Sequence, residues 1–286
     1  MGLEKLNELF AGRKLVIATK HGKESVLKPL FDEALGVKCE VTTSLDTDLL
    51  GTFSGEIDRT LDPISTARRK CELAMELTGA DLALASEGSF GAHPAAFFLP
   101  ANEEWLLFYD RKNQLEIQAR HLSTETNFAG EEIRNLEALV DFAQRVLFPS
   151  HGLILRNQKD GFLEIHKGIT DLSLLLELGE QLLKNYGTLY AETDMRAHFN
   201  PTRMKVIGET AQKLLEKINS CCPNCTLPGF AVVSAEPGLP CSWCGTPTRS
   251  ILFHTKTCTH CGHADQVHFP YGKTTEDPMY CDSCNP

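Results

Sequence analysis

Apolar residues follow two rhythms over the first 220 positions, a short-strand rhythm and a helical one. Residues 13–18 (RKLVIA) read as a buried strand. A Thr19-Lys20-His21-Gly22 turn follows, then a helix from about Lys23 to Leu35 that Gly36 stops. Residues 37–42 give a second strand. Asp62-Pro63 opens a helix in which Ile64, Ala67, Cys71, Ala74 and Met75 share one face, and Gly79 closes it. Asp81 to Ser86 reads as the next strand, with Glu87-Gly88-Ser89 predicted as a turn at its carboxyl end. Trp105 to Tyr109 and Leu115 to His121 flank the hairpin signal Asp110 to Asn113. Further along, the pattern predicts a helix over 131–147, a hairpin over 153–165, a Leu-rich helix over 171–186 and a last helix over 201–218. Alternating strand–helix units mixed with hairpins predict an α/β domain over residues 1–220, a layered mixed sheet with flanking helices.

The pattern changes at residue 221. Residues 221–286 hold short apolar runs among Pro, Gly and Thr, punctuated by four Cys-x-x-Cys pairs: Cys222/Cys225, Cys241/Cys244, Cys258/Cys261 and Cys281/Cys284. Two residues between thiols let both sulfurs face one ion, and two such pairs complete a sulfur-only tetrahedron, the usual shell of structural zinc. Eight cysteines therefore predict two structural Zn2+ ions in a small C-terminal double zinc-ribbon module. Gly245 and Gly262 follow the second and third pairs, where a zinc knuckle needs a permissive backbone. A disulfide framework or a redox dithiol fits this context less well. Pairing in sequence order, the first pair with the second and the third with the fourth, is the favoured arrangement; nested and interleaved sets stay open. His254, His260, His263 and His268 are expected to be solvated or supporting groups. Cys39 and Cys71 are expected as buried packing residues, and Cys221 has no assigned role.

A hydrophobic share of 42% with 23% charged residues belongs to an ordinary soluble chain. No apolar run approaches the ~20 residues of a membrane span, so no membrane association is expected. Met1 to Arg13 has no apolar core of a secretory leader, which predicts a cytoplasmic, thiol-preserving location. The net charge is −10. In the Cys-rich tail only Arg249, Lys256 and Lys273 are basic, so coating of duplex nucleic acid is disfavoured, while a protein or a structured RNA touched at a few points stays open as a partner.

Ligands of open α/β sheets bind at the carboxyl ends of strands. Two such places carry chemistry. In Thr19-Lys20-His21-Gly22-Lys23-Glu24, a glycine admits close backbone approach and the following helix offers free N–H groups to an anion. At the end of the third strand Glu87, beside Gly88, is a carboxylate suited to a magnesium ion or a base. A third cluster, Glu192 to Arg203, sets Arg196, His198 and Arg203 about the helix start at Asn200-Pro201. A cation in a helix's first turn asks for an anionic partner, either a bound phosphate or carboxylate or an internal Glu192 or Asp194.

The stretch ATKHGKE after a strand, followed by TARRKCELAMELTGADLALASEGSFG, resembles the inosine/xanthosine triphosphate pyrophosphatase superfamily, whose members hydrolyse non-standard purine nucleoside triphosphates. Thr19 and Lys23 match its phosphate loop, Ala67 and Lys70 its following helix, and Glu87 its acidic strand end. His21 stands in place of an Asn, and Ser86 in place of a second acid. The α/β domain followed by CxxC pairs also resembles an uncharacterised bacterial family with C-terminal zinc ribbons. What the resemblance implies is a nucleotide substrate and a magnesium-dependent hydrolase. Glu87, Lys23 and Glu24 would be catalytic, and Thr19, Lys20, His21 and Lys70 would bind substrate; outside the stretch that carries the resemblance, Arg196, His198 and Arg203 are expected to bind substrate by closing over its phosphate. The alternative is a zinc-ribbon interaction protein whose α/β domain binds a nucleotide or a nucleic-acid end without hydrolysis.

Overall fold

The computed structural model describes residues 2–19, 21–42 and 61–286, so Lys20 of the expected phosphate loop lies outside the described residues. The chain divides into two units. One is Gly12–Leu214; the other combines Met1–Ala11, with helix α1 (Gly2–Phe10), and Leu215–Pro286.

In the first unit, β1 (Lys14–Ala18) lies between β2 (Lys38–Val41) and β3 (Leu82–His93) and is parallel to both. Strands β4 (Ala96–Asp110) and β5 (Leu115–Ser123) extend the sheet antiparallel, in the order β2-β1-β3-β4-β5. The chain leaves β1 towards β2 on one side and returns to β3 on the other, so the topological switch point lies between β1 and β3.

Helix α2 (Glu24–Leu35) ends on Gly36, whose left-handed φ of 63° provides the predicted stop. Helix α3 (Pro63–Thr78) starts as its sequence dictates: the Asp62 carboxylate accepts from the amides of Ile64 and Ser65, and Pro63 occupies the first turn. Side-chain alternation decides which helix covers which face. Val16, Ala18, Ala83, Ala85 and Leu107 meet Ala67, Cys71, Ala74 and Met75 of α3. On the opposite face Phe31 of α2 stacks on Phe108 with ring centroids 6.4 Å apart. Cys39 and Cys71 are the packing residues expected: burial pushes the Cys39 thiol up to about 12 and raises that of Cys71 as well.

A second, antiparallel sheet takes the order β6-β9-β7-β8, from β6 (Gly130–Ile133), β7 (Leu153–Arg156), β8 (Ile165–Ile169) and β9 (Leu189–Thr193). Helices α4 (Leu136–Arg145) and α5 (Leu172–Tyr186) bury Leu139, Phe142, Leu175 and Leu182 in its core. The unit closes with helix α6 (Pro201–Asn219), which runs past Leu214.

Two expectations are corrected. The helix predicted from residue 131 begins only at Leu136, capped by Asn135, because Gly130–Ile133 pair with β9 as an edge strand. Local propensity there yields to a partner more than fifty residues away in sequence. Nor is Glu87-Gly88-Ser89 a turn. Strand β3 continues through it because β4 supplies a partner for each residue, Glu87 opposite Trp105, Gly88 opposite Glu104 and Ser89 opposite Glu103.

In the second unit, β10 (Ala231–Pro237), β11 (Ile251–Thr257) and β12 (Ala264–His268) form an antiparallel meander with β11 in the centre. Ala231 and Ala264 both lie opposite Thr257, so the start of β10, the end of β11 and the start of β12 share one end of the sheet. Among the described residues no helix is long and apolar enough to cross a membrane.

Candidate functional site

The crevice at the switch point is built from both faces of β3. Alternation sends Ser86 and Glu87 to opposite sides. Ser86 meets Lys23, whose Nζ donates to the serine Oγ at 2.8 Å from the start of α2. Glu87 points to the α3 side and forms an ion pair with Lys70. Next along β3, Gly88 has no side chain, and the space is taken by Glu104 of β4 and Arg203 of α6. A Cβ on Gly88 would lie 2.5 Å from both Arg203 Nη2 and Glu104 Oε1. The Arg203 Nε donates to Glu104 Oε1 at 2.7 Å, and its guanidinium also donates to the Met195 carbonyl and sits 5.1 Å from the centre of the Phe90 ring. Asn200 starts α6 as predicted, its Oδ1 accepting from the Arg203 amide at 2.9 Å.

Lys23, Lys70 and Arg203 thus bring three cations to one neighbourhood against two carboxylates, Glu87 and Glu104. Lys23 is the one without a carboxylate partner among the described residues. Burial, reinforced by the nearby Arg203 charge, lowers its ammonium to about 7, with Glu104 opposing. The Thr19 hydroxyl just after β1 is buried with no hydrogen-bond partner among the described residues, as are both polar atoms of the Asn102 side chain on β4.

Beside the crevice lies an open groove of about 600 Å³ lined by Gly22, Glu24, His198, Pro201, Met204 and Lys205. Gly22 takes a left-handed φ of 72°, and a Cβ there would touch His198 Cβ at 3.4 Å. His21 and His198 stack at 5.3 Å, and burial followed by the charge of Arg196 lowers the His198 imidazolium. Arg196 is held by Asp194, Nη2 to Oδ2 at 2.6 Å, and lies 4.7 Å from the centre of the Phe199 ring. Glu192 pairs with Arg156 instead.

Thr19, Lys23, Lys70, Glu87 and Arg203 therefore gather about the switch point, while Glu24 and His198 line the groove and His21 stacks on His198. Sequence reading missed Glu104 and singled out Ser86 only as a departure from a pattern. Glu104 had a legible signal: in Glu104-Leu106-Phe108 it is the charged member of the strand face that carries Phe108 into the core.

The cysteines form two clusters, Cys222/Cys225 with Cys258/Cys261 and Cys241/Cys244 with Cys281/Cys284, and in each the four sulfurs lie within 4.8 Å of one another. This corrects the expected sequential pairing. The meander is the cause: the first and third pairs flank the end of the sheet where β10 begins and β11 ends, whereas the second and fourth follow the opposite ends of β10 and β12. Neighbouring sulfurs stand 3.6 to 3.9 Å apart. Four sulfurs ~2.3 Å from a central zinc would span tetrahedral edges of about 3.8 Å, so the donor set fits the ion. The knuckles use the expected backbone: Gly245 and Gly262 have φ of 73° and 74°, and Thr226 takes 62° at the matching place in the first pair. No histidine joins either cluster.

Outside the chain itself, similarity is thin. No curated protein matches it. The crystal structure of protein VC0702 from Vibrio cholerae is similar over 72% of this chain and 94% of that one, at 11% identity and a TM-score of 0.33, which carries no functional argument. Lys70, Glu87, Glu104, Arg203 and all eight paired cysteines lie within residues 70–286, which match a domain of unknown function, DUF6671, and the chain belongs to that family.

Proposed function

We propose that the Gly12–Leu214 unit binds a purine nucleoside triphosphate by its phosphates in the β1–β3 crevice and hydrolyses it. The observation that carries this reading is the gathering of three basic side chains, Lys23, Lys70 and Arg203, against only two carboxylates at the switch point. Buried charge is costly unless it is paired, and a phosphate would complete the balance. The sequence resemblance of Thr19, Lys23, Lys70 and Glu87 to the inosine/xanthosine triphosphate pyrophosphatases supports the choice of ligand. Lys23 and Lys70 would neutralise phosphate oxygens, and Arg203 would hold Glu104 while adding its charge from behind.

Glu87 is the carboxylate that would hold magnesium. It fits as a single protein ligand to an ion that takes most of its shell from water and phosphate, and bound magnesium would neutralise developing charge on the phosphates. The test is release of pyrophosphate or phosphate by the purified full chain, with magnesium, from inosine and xanthosine triphosphates beside the four ordinary ribonucleotides. No release from any of them rejects hydrolysis.

The zinc module favours a second, separate role as an interaction face for a protein or structured RNA. Trp243 and Tyr271 are 80% and 69% exposed, where aromatics serving only as a minimal core would be hidden. The two zinc ions would be structural.

A further inference from the structure

We propose that an anion entering the β1–β3 crevice is bound together with a proton, which the Lys23 amine takes up. The inference rests on the phosphate-binding reading above and adds to it how the site's charge responds to its ligand.

The geometry singles out Lys23. Its side chain is buried, and its Nζ meets the neutral Ser86 hydroxyl at 2.8 Å. Every other charged group around it is committed: Glu87 on β3 to Lys70 on α3, and Glu104 on β4 to Arg203 on α6. The nearest carboxylate charges are therefore already opposed by cations, and Lys23 faces Arg203 and Lys70 as like charges. Glu24 and His198 line the groove outside and do not pair with it. A third ammonium in this place raises the energy of the empty site, so the amine sheds its proton near pH 7. A phosphate reverses the balance. Its negative charge favours the ammonium, and since the neutral amine holds one proton fewer, binding above pH 7 must draw a proton from solvent. The Ser86 hydroxyl can serve both states, donating to the neutral amine and accepting from the ammonium.

Calorimetric titration of the full zinc-loaded chain with adenosine triphosphate, without magnesium, tests this in buffers of different ionisation enthalpy. At pH 8.5 the ligand's own last proton is largely gone, because the terminal phosphate of a nucleotide titrates roughly two pH units lower. The expected result is uptake approaching one proton per bound anion at pH 8.5, falling off below about pH 7. Lys23→Met should abolish the uptake, and Lys23→Arg, charged at every pH used, should bind without it. Binding with no proton uptake at pH 8.5, or uptake that persists in Lys23→Met, overturns the linkage while leaving the phosphate site standing. Absence of binding rejects the phosphate site and the linkage together. Wild-type titrations across pH decide the matter even if a variant fails to fold.

Discussion

Arg203 and Glu104, 99 residues apart in sequence, meet at 2.7 Å with neither side chain exposed. The pair ties α6 to the centre of the first sheet at the point where β3 offers only a glycine. Removing one partner leaves the other charge buried and alone, which typically costs about 3–5 kcal/mol. Arg203→Met and Glu104→Gln are each expected to lower the urea midpoint on that scale, with the double variant recovering much of the loss. Gly88→Ala should destabilise by ~1–3 kcal/mol, because its methyl would overlap both charged groups.

The interleaved cysteine clusters make a prediction that sequential pairing does not share. Wild-type protein purified without added zinc is expected to hold two ions per chain, one for each four-thiol cluster. Cys222→Ser combined with Cys258→Ser damages one cluster only, so one tightly bound zinc should remain. Combining Cys222→Ser with Cys241→Ser damages both. Metal analysis after gel filtration against a weak chelator separates the cases, and the opposite ranking of the two variants would restore sequential pairing.

His151 connects pH to the start of α6. Its buried ring accepts from the Thr202 amide through Nε2 at 3.3 Å and meets the Thr202 hydroxyl at 2.9 Å, while Nδ1 faces Ser150 Oγ at 3.0 Å. Burial lowers its imidazolium below the usual range, and a protonated Nε2 could not accept from the amide. The folded state thus favours the neutral ring. Its contribution is fully present above the ordinary histidine value of about 6.5 and is lost as pH falls below it, where the unfolded chain takes the proton first. Melting temperature should drop between pH 7 and 5 in the wild type and less steeply in His151→Gln. Parallel slopes would assign the acid sensitivity to other groups.

Glu87→Gln keeps the shape of the side chain and removes its charge. If the carboxylate acts in hydrolysis, kcat should fall roughly a hundredfold with nucleotide affinity little changed. Losing its ion pair, Lys70 would be free to engage phosphate more strongly, so the variant should not bind more weakly than wild type. Unchanged turnover would take Glu87 out of the reaction.

What the sequence determined by itself is local. Asp62-Pro63 and Gly79 bound α3 because capping and left-handed closure involve residues within a turn of one another. The CxxC pairs specified two four-thiol clusters by count and spacing, and the Lys23 loop could be placed after the end of β1. What only the tertiary structure decided depends on strand direction and register. Which CxxC pairs share an ion follows from β11 running antiparallel between β10 and β12. The extended state of Glu131 follows from β9, and the meetings of Lys23 with Ser86 and of Arg203 with Glu104 follow from the β1–β3–β4 order. Periodicity records which face of an element is apolar; it holds no record of the distant element that the face will meet.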